Sequence, residues 1–145
     1  MKITLLIALL GCSLFNACAQ QTAATGYRKI ETMIPMRDGV KLFTAIYLPL
    51  DSSENYPILM QRTPYSCAPY GEQNVRRSLG PNKFFANEKY IFVYQDVRGR
   101  HMSEGIFEEM TPAIDNKKSK SDIDESSDTY DTVDWLLKNI HDNNG

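Results

Sequence analysis

Tyr90-Ile91-Phe92-Val93-Tyr94 is an unbroken apolar run, halted by Gln95-Asp96 and followed by Val97-Arg98-Gly99-Arg100. A short β-branched and aromatic run with no polar alternation has the length of a strand and the character of one buried on both faces. Pro57-Ile58-Leu59-Met60, stopped by Gln61-Arg62, repeats the pattern upstream. Together the two runs predict central strands of a sheet covered on both sides. The long segment between them is punctuated by Pro64, Pro69, Gly71, Gly80 and Pro81. Within it, Lys83 to Asn87 predicts a short helical end with Phe84 and Phe85 packed on the sheet.

Toward the N-terminus, Tyr27 to Pro35 can be extended, and Asp38-Gly39 is a strong hairpin-turn pair. Val40, Leu42, Thr44, Ile46 and Leu48 then alternate with Lys41, Phe43, Ala45 and Tyr47, a period of two that predicts a strand. Pro49 ends it and Asp51 to Asn55 forms a polar turn. Toward the C-terminus, Gly99 to Glu104 reads as a loop and Asp115 to Asp124 as a charged connection. Ser126 to Ile140 is the clearest helix, with Val133, Leu136, Leu137 and Ile140 on one apolar stripe. Ser127 or Asp128 is the expected cap, Asp131 falls in the first turn, and Lys138 and His141 suit the dipole at the far end. The elements predict an α/β fold with a hairpin leading into covered strands, but with fewer strands than such a sandwich needs.

The chain has 145 residues, with 42% hydrophobic and 23% charged positions, so it is neither a disordered tail nor a coiled coil. Sixteen Lys+Arg against 18 Asp+Glu give a formal charge of −2, which excludes a basic nucleic-acid binder. Met1-Lys2 followed by the apolar run Ile3 to Leu10 suits a signal-peptide core. Two processing routes fit. Ala17-Cys18-Ala19 offers an A-x-A cleavage site, whereas Leu9-Leu10-Gly11-Cys12 and Phe15-Asn16-Ala17-Cys18 resemble lipoprotein signals with a lipid-modified Cys12 or Cys18. Either route predicts export, to the periplasm, to a membrane anchor or to the medium. The boundaries are then a signal at 1–19, a flexible leader at 20–29 and the globular portion at 30–145.

Cys67 is thereby left as the lone cysteine of the mature body, with the buried role of a small hydrophobe and no disulfide or metal site. His101 and His141 are isolated, the first in a loop and the second at a helix end. Seven acids and three lysines between Asp115 and Asp134 read as a solvated loop plus helix N-terminal acids. Glycine-rich phosphate loops, H-E-x-x-H, Cys/His clusters and G-x-S-x-G are not found.

Several stretches together resemble one family. They are Pro35-Met36-Arg37-Asp38-Gly39-Val40-Lys41-Leu42, Arg62-Thr63-Pro64-Tyr65, Gln95-Asp96-Val97-Arg98-Gly99-Arg100 with Ser103-Glu104-Gly105, Asp131-Thr132-Val133-Asp134-Trp135-Leu136, and Asn144-Gly145. In order and spacing they are similar to the opening of the cocaine-esterase/X-Pro dipeptidyl-peptidase-like serine hydrolases. Within that family the pattern is most similar to the α-amino-acid ester hydrolases, also known as glutaryl-7-aminocephalosporanic-acid acylases.

The resemblance implies an α/β-hydrolase fold of which this chain is the N-terminal part, truncated before the nucleophile elbow. It implies a Ser-His-Asp mechanism on a small-molecule ester, amide or short peptide, without a cofactor. The serine would lie just past Asn144-Gly145 and the acid and histidine further on, so the fragment alone is expected to be inactive. Ser66, Ser78 and Ser103 have no elbow-like context. One residue carries over: Tyr65 matches the family's oxyanion-hole tyrosine. It follows an apolar strand, where α/β-hydrolases supply such a donor, and a phenol titrating near ~10 still donates at neutral pH. Losing one oxyanion donor costs about 3–4 kcal/mol of transition-state stabilisation. Asp96, Arg98 and Arg100 are expected to form an internal Asp–Arg pair bracing the loop after the second run. The rival from another class is an exported, non-catalytic binding module using the same β-rich surface.

Overall fold

A computed structural model describes residues 26–145. The export signal at 1–19, Cys12, Cys18 and the first part of the leader lie outside the described residues. Four strands and two helices follow in order: β1 (Tyr27–Pro35), β2 (Lys41–Pro49), β3 (Ile58–Thr63), α1 (Lys83–Asn87), β4 (Ile91–Asp96) and α2 (Glu125–Asn139). β1 begins at Tyr27, so the last three positions of the expected 20–29 leader are strand.

The strands form one sheet in the order β1-β2-β4-β3. The β1–β2 hairpin pairs Tyr27 with Pro49 and Pro35 with Lys41 around the Asp38-Gly39 turn. β4 then pairs antiparallel with β2 (Thr44 opposite Gln95) and parallel with β3 (Thr63 opposite Asp96). The parallel pair requires a crossover, and the long Pro64–Tyr90 segment supplies it. The arrangement is the mixed α/β sheet of an α/β-hydrolase-type fold.

Two cores lie on opposite faces. On one, Leu42, Ile46, Leu48, Ile91 and Val93 meet Leu136 and Ile140 of α2. On the other, Phe43, Ala45, Tyr47, Phe92 and Tyr94 meet Cys67, Leu79 and Phe85 of the crossover. Both sides of β2 are therefore apolar, and every residue from Leu42 to Pro49 is buried. β4 is buried throughout, as its composition predicts. β3 is not: among the described residues it is the outer strand, and only Thr63 is buried.

The helices depart from expectation in detail. Phe85 packs edge-on against Tyr90, but Phe84 points to solvent at 65% exposure. α2 is capped by Asp124 rather than by Ser127 or Asp128: Asp124 accepts from the Ser127 N–H, and Ser127 Oγ accepts from the Asp124 N–H. The inner face of α2 is not the all-apolar stripe either. Asp128, Thr132, Leu136 and Ile140 face inward, whereas Val133 and Leu137 are 40% and 43% exposed. A polar half of the helix face thus meets the polar carboxyl end of the sheet, and the apolar half meets its middle.

Candidate functional site

β3 and β4 end in register, so the loops that follow, Pro64–Tyr70 and Val97–Ser103, leave the sheet side by side. Sites in open α/β sheets form beyond the carboxyl ends of the strands. Tyr65 stands here, two residues past β3, with its side chain 86% exposed. Its backbone is fixed although its ring is free. The Tyr65 N–H donates to Thr63 Oγ1 at 3.0 Å. The Pro64 carbonyl accepts from Arg100 Nε at 3.1 Å and pairs with His101 Nε2 at 3.1 Å. Ser66 adopts a left-handed φ of 84°, a turn conformation uncommon outside glycine. Its hydroxyl accepts from the Ala68 N–H at 3.1 Å and lies 2.8 Å from the Tyr70 hydroxyl.

Asp96 is fully buried at the base of both loops. One carboxylate oxygen accepts from the Cys67 N–H at 2.8 Å; the other accepts from the Tyr70 hydroxyl at 2.9 Å and the Met102 N–H at 3.3 Å. Its main-chain carbonyl accepts from Ser103 Oγ at 2.6 Å. The expected Asp96–Arg pair is therefore not formed. Asp96 continues the side of β4 that carries Phe92 and Tyr94 and turns toward the crossover. The strand then ends, and Arg98 lies toward α2 instead. Burial, with the neighbouring carboxylate, pushes the Cys67 thiol up to about 12. Burial likewise lifts the Tyr70 phenol to about 12, so both stay protonated at neutral pH.

Arg98 bridges two carboxylates. Its Nε and Nη2 meet Asp128 at 3.0 and 2.7 Å, and its Nη1 meets Asp38 of the hairpin turn at 2.8 Å. These partners hold the guanidinium above its ordinary pKa, with the Asp128 hydrogen bond the largest cause. Arg62, at the end of β3, donates to Gln95 at 2.8 Å, to Glu125 at 2.8 Å and to Thr129 at 2.7 Å. Gln95 in turn donates to Thr44 and Thr132, both at 3.0 Å. Arg37 clamps Asp131 through Nε and Nη2. The acidic stretch is thus more than a solvated face: Asp131 ties α2 to Arg37 of the hairpin turn, Asp128 ties it to Arg98 of the loop after β4, and Asp124 caps the helix while holding Ile114 and Lys117 of the preceding loop. A cavity of about 420 Å³ beside this cluster is lined by Val40, Arg98, Ile106, Glu108 and Asp128, among others.

The loop after β4 makes a tight turn at Gly99, where φ is +67° and a Cβ would meet the Phe107 nitrogen at 2.0 Å. Only glycine fits such an approach. Tyr65, Asp96, Arg100 and His101 thereby share one end of the sheet, whereas His141 follows α2 close to Asn143, which bridges Tyr56 at the opposite end of β3. Ser103 Oγ is committed to Asp96 and to the Phe43 N–H. Among the described residues neither histidine hydrogen-bonds a serine or a carboxylate. Sequence reading expected Asp96 to brace the loop through an arginine and missed its actual partners, Cys67, Tyr70 and Met102. The signal was present in an Asp placed just past the apolar run Ile91 to Tyr94, a buried charge that must find donors.

Comparison with known proteins places this geometry. The family model for the X-Pro dipeptidyl-peptidase (S15 family) matches residues 38–145. The cocaine esterase of Rhodococcus sp. (strain MB1 Bresler) is 32% identical over 106 residues, which are 73% of this chain and 16% of that protein. An aminopeptidase from the marine sediment archaeon Thaumarchaeota archaeon superposes with a TM-score of 0.68 at 40% identity, covering 83% of this chain and 20% of that one. An α-amino acid ester hydrolase does so with a TM-score of 0.68 at 36% identity, covering 95% and 23%. The chain therefore spans about a fifth of the length of the proteins it matches. The strand order, the paired loops and these matches agree: the chain belongs to the X-Pro dipeptidyl-peptidase (S15) family of hydrolases.

Proposed function

We propose that the protein is an exported serine hydrolase acting on α-aminoacyl esters or amides, and that this chain supplies its oxyanion tyrosine and part of its sheet. The observation that carries the reading is Tyr65, an exposed phenol on a fixed backbone at the carboxyl end of β3. Past α2 the backbone returns beside the start of β3: Tyr56 and Asn143 form a parallel bridge, with the Tyr56 N–H on the Asp142 carbonyl at 2.7 Å. A strand continuing from there runs toward the Tyr65 end, which is where the nucleophile is needed. The serine, acid and histidine are assigned to polypeptide outside these residues.

In the proposed mechanism the serine attacks the acyl carbonyl while the histidine takes its proton, and negative charge develops on the carbonyl oxygen. The Tyr65 hydroxyl donates to that oxygen. The histidine then protonates the leaving alcohol or amine, and water resolves the acyl-enzyme by the same steps in reverse. The aminoacyl substrate class is supported by the names of the two structural neighbours, an α-amino acid ester hydrolase and an aminopeptidase. The family description favours a second reading, an X-Pro dipeptidyl peptidase. Hydrolysis of a Gly-Pro anilide in preference to a free-amino phenylalanine ester would select the latter.

The test is Tyr65→Phe in the intact enzyme. The expected result is a fall in kcat of about 10²- to 10³-fold with little change in KM; an unchanged kcat overturns the oxyanion reading. Export predicts a mature protein lacking residues 1–19 or lipid-modified at Cys12 or Cys18, and an intact N-terminus on cytoplasmic protein overturns it.

A further inference from the structure

The backbone of Tyr65 is held by groups that belong to the other loop. Pro64, before it, is tied to Arg100 and His101. Cys67, two residues after it, is tied to Asp96. Tyr70 closes the same loop by bridging Ser66 and Asp96, at 2.8 and 2.9 Å. The Asp96 carboxylate therefore collects three donors from two loops while being fully buried itself. A buried carboxylate with three donors on it is stiff, because moving any one donor leaves charge without a partner in a dry site.

We propose that Asp96 is a positioning residue for the oxyanion tyrosine: it locks the Pro64–Tyr70 loop so that the Tyr65 hydroxyl points where charge develops in the transition state. The proposal rests on the oxyanion reading of Tyr65 given above. Asp96 touches no substrate; it acts through the Cys67 N–H and the Tyr70 hydroxyl, and the Met102 N–H couples the second loop to the same atom. An oxyanion donor works because it is already in place, and a misplacement of about 1 Å can cost about a hundredfold in rate. Asp96→Asn keeps the size but replaces one acceptor oxygen by an NH2 group. That group opposes the Met102 N–H or the Cys67 N–H and loosens the loop.

The experiment is a double-mutant cycle in kcat on the intact enzyme with one α-aminoacyl ester: wild type, Tyr65→Phe, Asp96→Asn and the double variant. The expected result is a fall of about ten- to a hundredfold for Asp96→Asn, at nearly unchanged KM. The double variant should be no slower than Tyr65→Phe alone. A residue that merely holds the fold together would lower Tm and multiply its loss onto that of Tyr65→Phe; full multiplication, or an Asp96→Asn rate equal to wild type, overturns the proposal. If Tyr65→Phe itself leaves kcat unchanged, the oxyanion reading has failed and the role of Asp96 through it falls with it. Should Asp96→Asn not fold, Tyr70→Phe removes the hydroxyl that joins Asp96 to Ser66 and is read by the same cycle.

Discussion

Replacing Arg98 by Met tests whether the charges along α2 are structural anchors or surface decoration. Met retains the apolar stem that packs on Gly105, where an added Cβ would lie 2.8 Å from Arg98 Cγ. It removes the guanidinium that Asp128 contacts at 2.7 and 3.0 Å. Asp128 is 2% exposed, and its remaining cation is Arg62, whose Nη2 is 3.9 Å away. Breaking a buried pair from one side typically costs about 3–5 kcal/mol. The residual Arg62 puts the value here near ~3 kcal/mol, and Asp38, more open to water, adds little. In the intact protein the loss is read as a lowered Tm by circular dichroism. Asp128→Asn in the Arg98→Met background should restore most of the loss, because it removes the stranded charge. Lys138→Met, which breaks the exposed pair with Asp134, should leave Tm unchanged. A shift below about 1 kcal/mol for Arg98→Met, or an Asp128→Asn that deepens the loss, would refute the reasoning.

Two further outcomes follow from buried or capped groups. Asp124 accepts from the Ile114 and Ser127 N–H groups and from Lys117, and these hold its carboxyl well below the usual carboxylate range, with the Ile114 hydrogen bond the largest cause. Its contribution is therefore complete above the unfolded value near ~3.9 and is lost as pH falls below it. Asp124→Ala should cost about 1–2 kcal/mol at neutral pH, with the gap to wild type narrowing in urea titrations below about pH 4. Cys67, fully buried and with its thiol pushed up to about 12, should resist iodoacetamide at pH 8 in the native protein. Peptide mapping should find it fully alkylated in denaturant, and native labelling at the rate of an open thiol would contradict its placement.

The strands and the long helix were legible because their signals are local. Val93 and its neighbours carry no polar residue, and the hairpin is written in Asp38-Gly39. What escaped was whatever depends on partners distant in sequence. Ile58–Met60 reads like β4, yet β3 is the outer strand of the described sheet, and composition cannot say which neighbour a strand has. Asp124 was passed over as a cap because its reciprocal partner is Ser127 rather than a Glu or Gln at that position. Thr132 and Asp128 look like the wet side of α2 until Gln95 and Arg98 are placed against them. Tyr65 was singled out as a candidate through a family resemblance. The brace beneath it was mistaken for an ion pair because Arg98 and Arg100 were nearer in sequence than Cys67 and Tyr70.

The order β1-β2-β4-β3 also sets a timetable for the nascent chain. The β1–β2 hairpin can close as soon as it leaves the ribosome, but the partner for the open edge of β2 begins only at Ile91. Roughly 40 residues separate the two, which at ~5–20 residues per second is about 2–8 s of translation. During that interval Phe43, Ala45 and Tyr47 are presented on a strand with one open edge, and β3 is made before the strand that must slip in beside it. Among the described strands the hairpin thus waits longest for its partner, and slowing synthesis between Pro49 and Ile91 should raise aggregation even when the finished fold is unchanged.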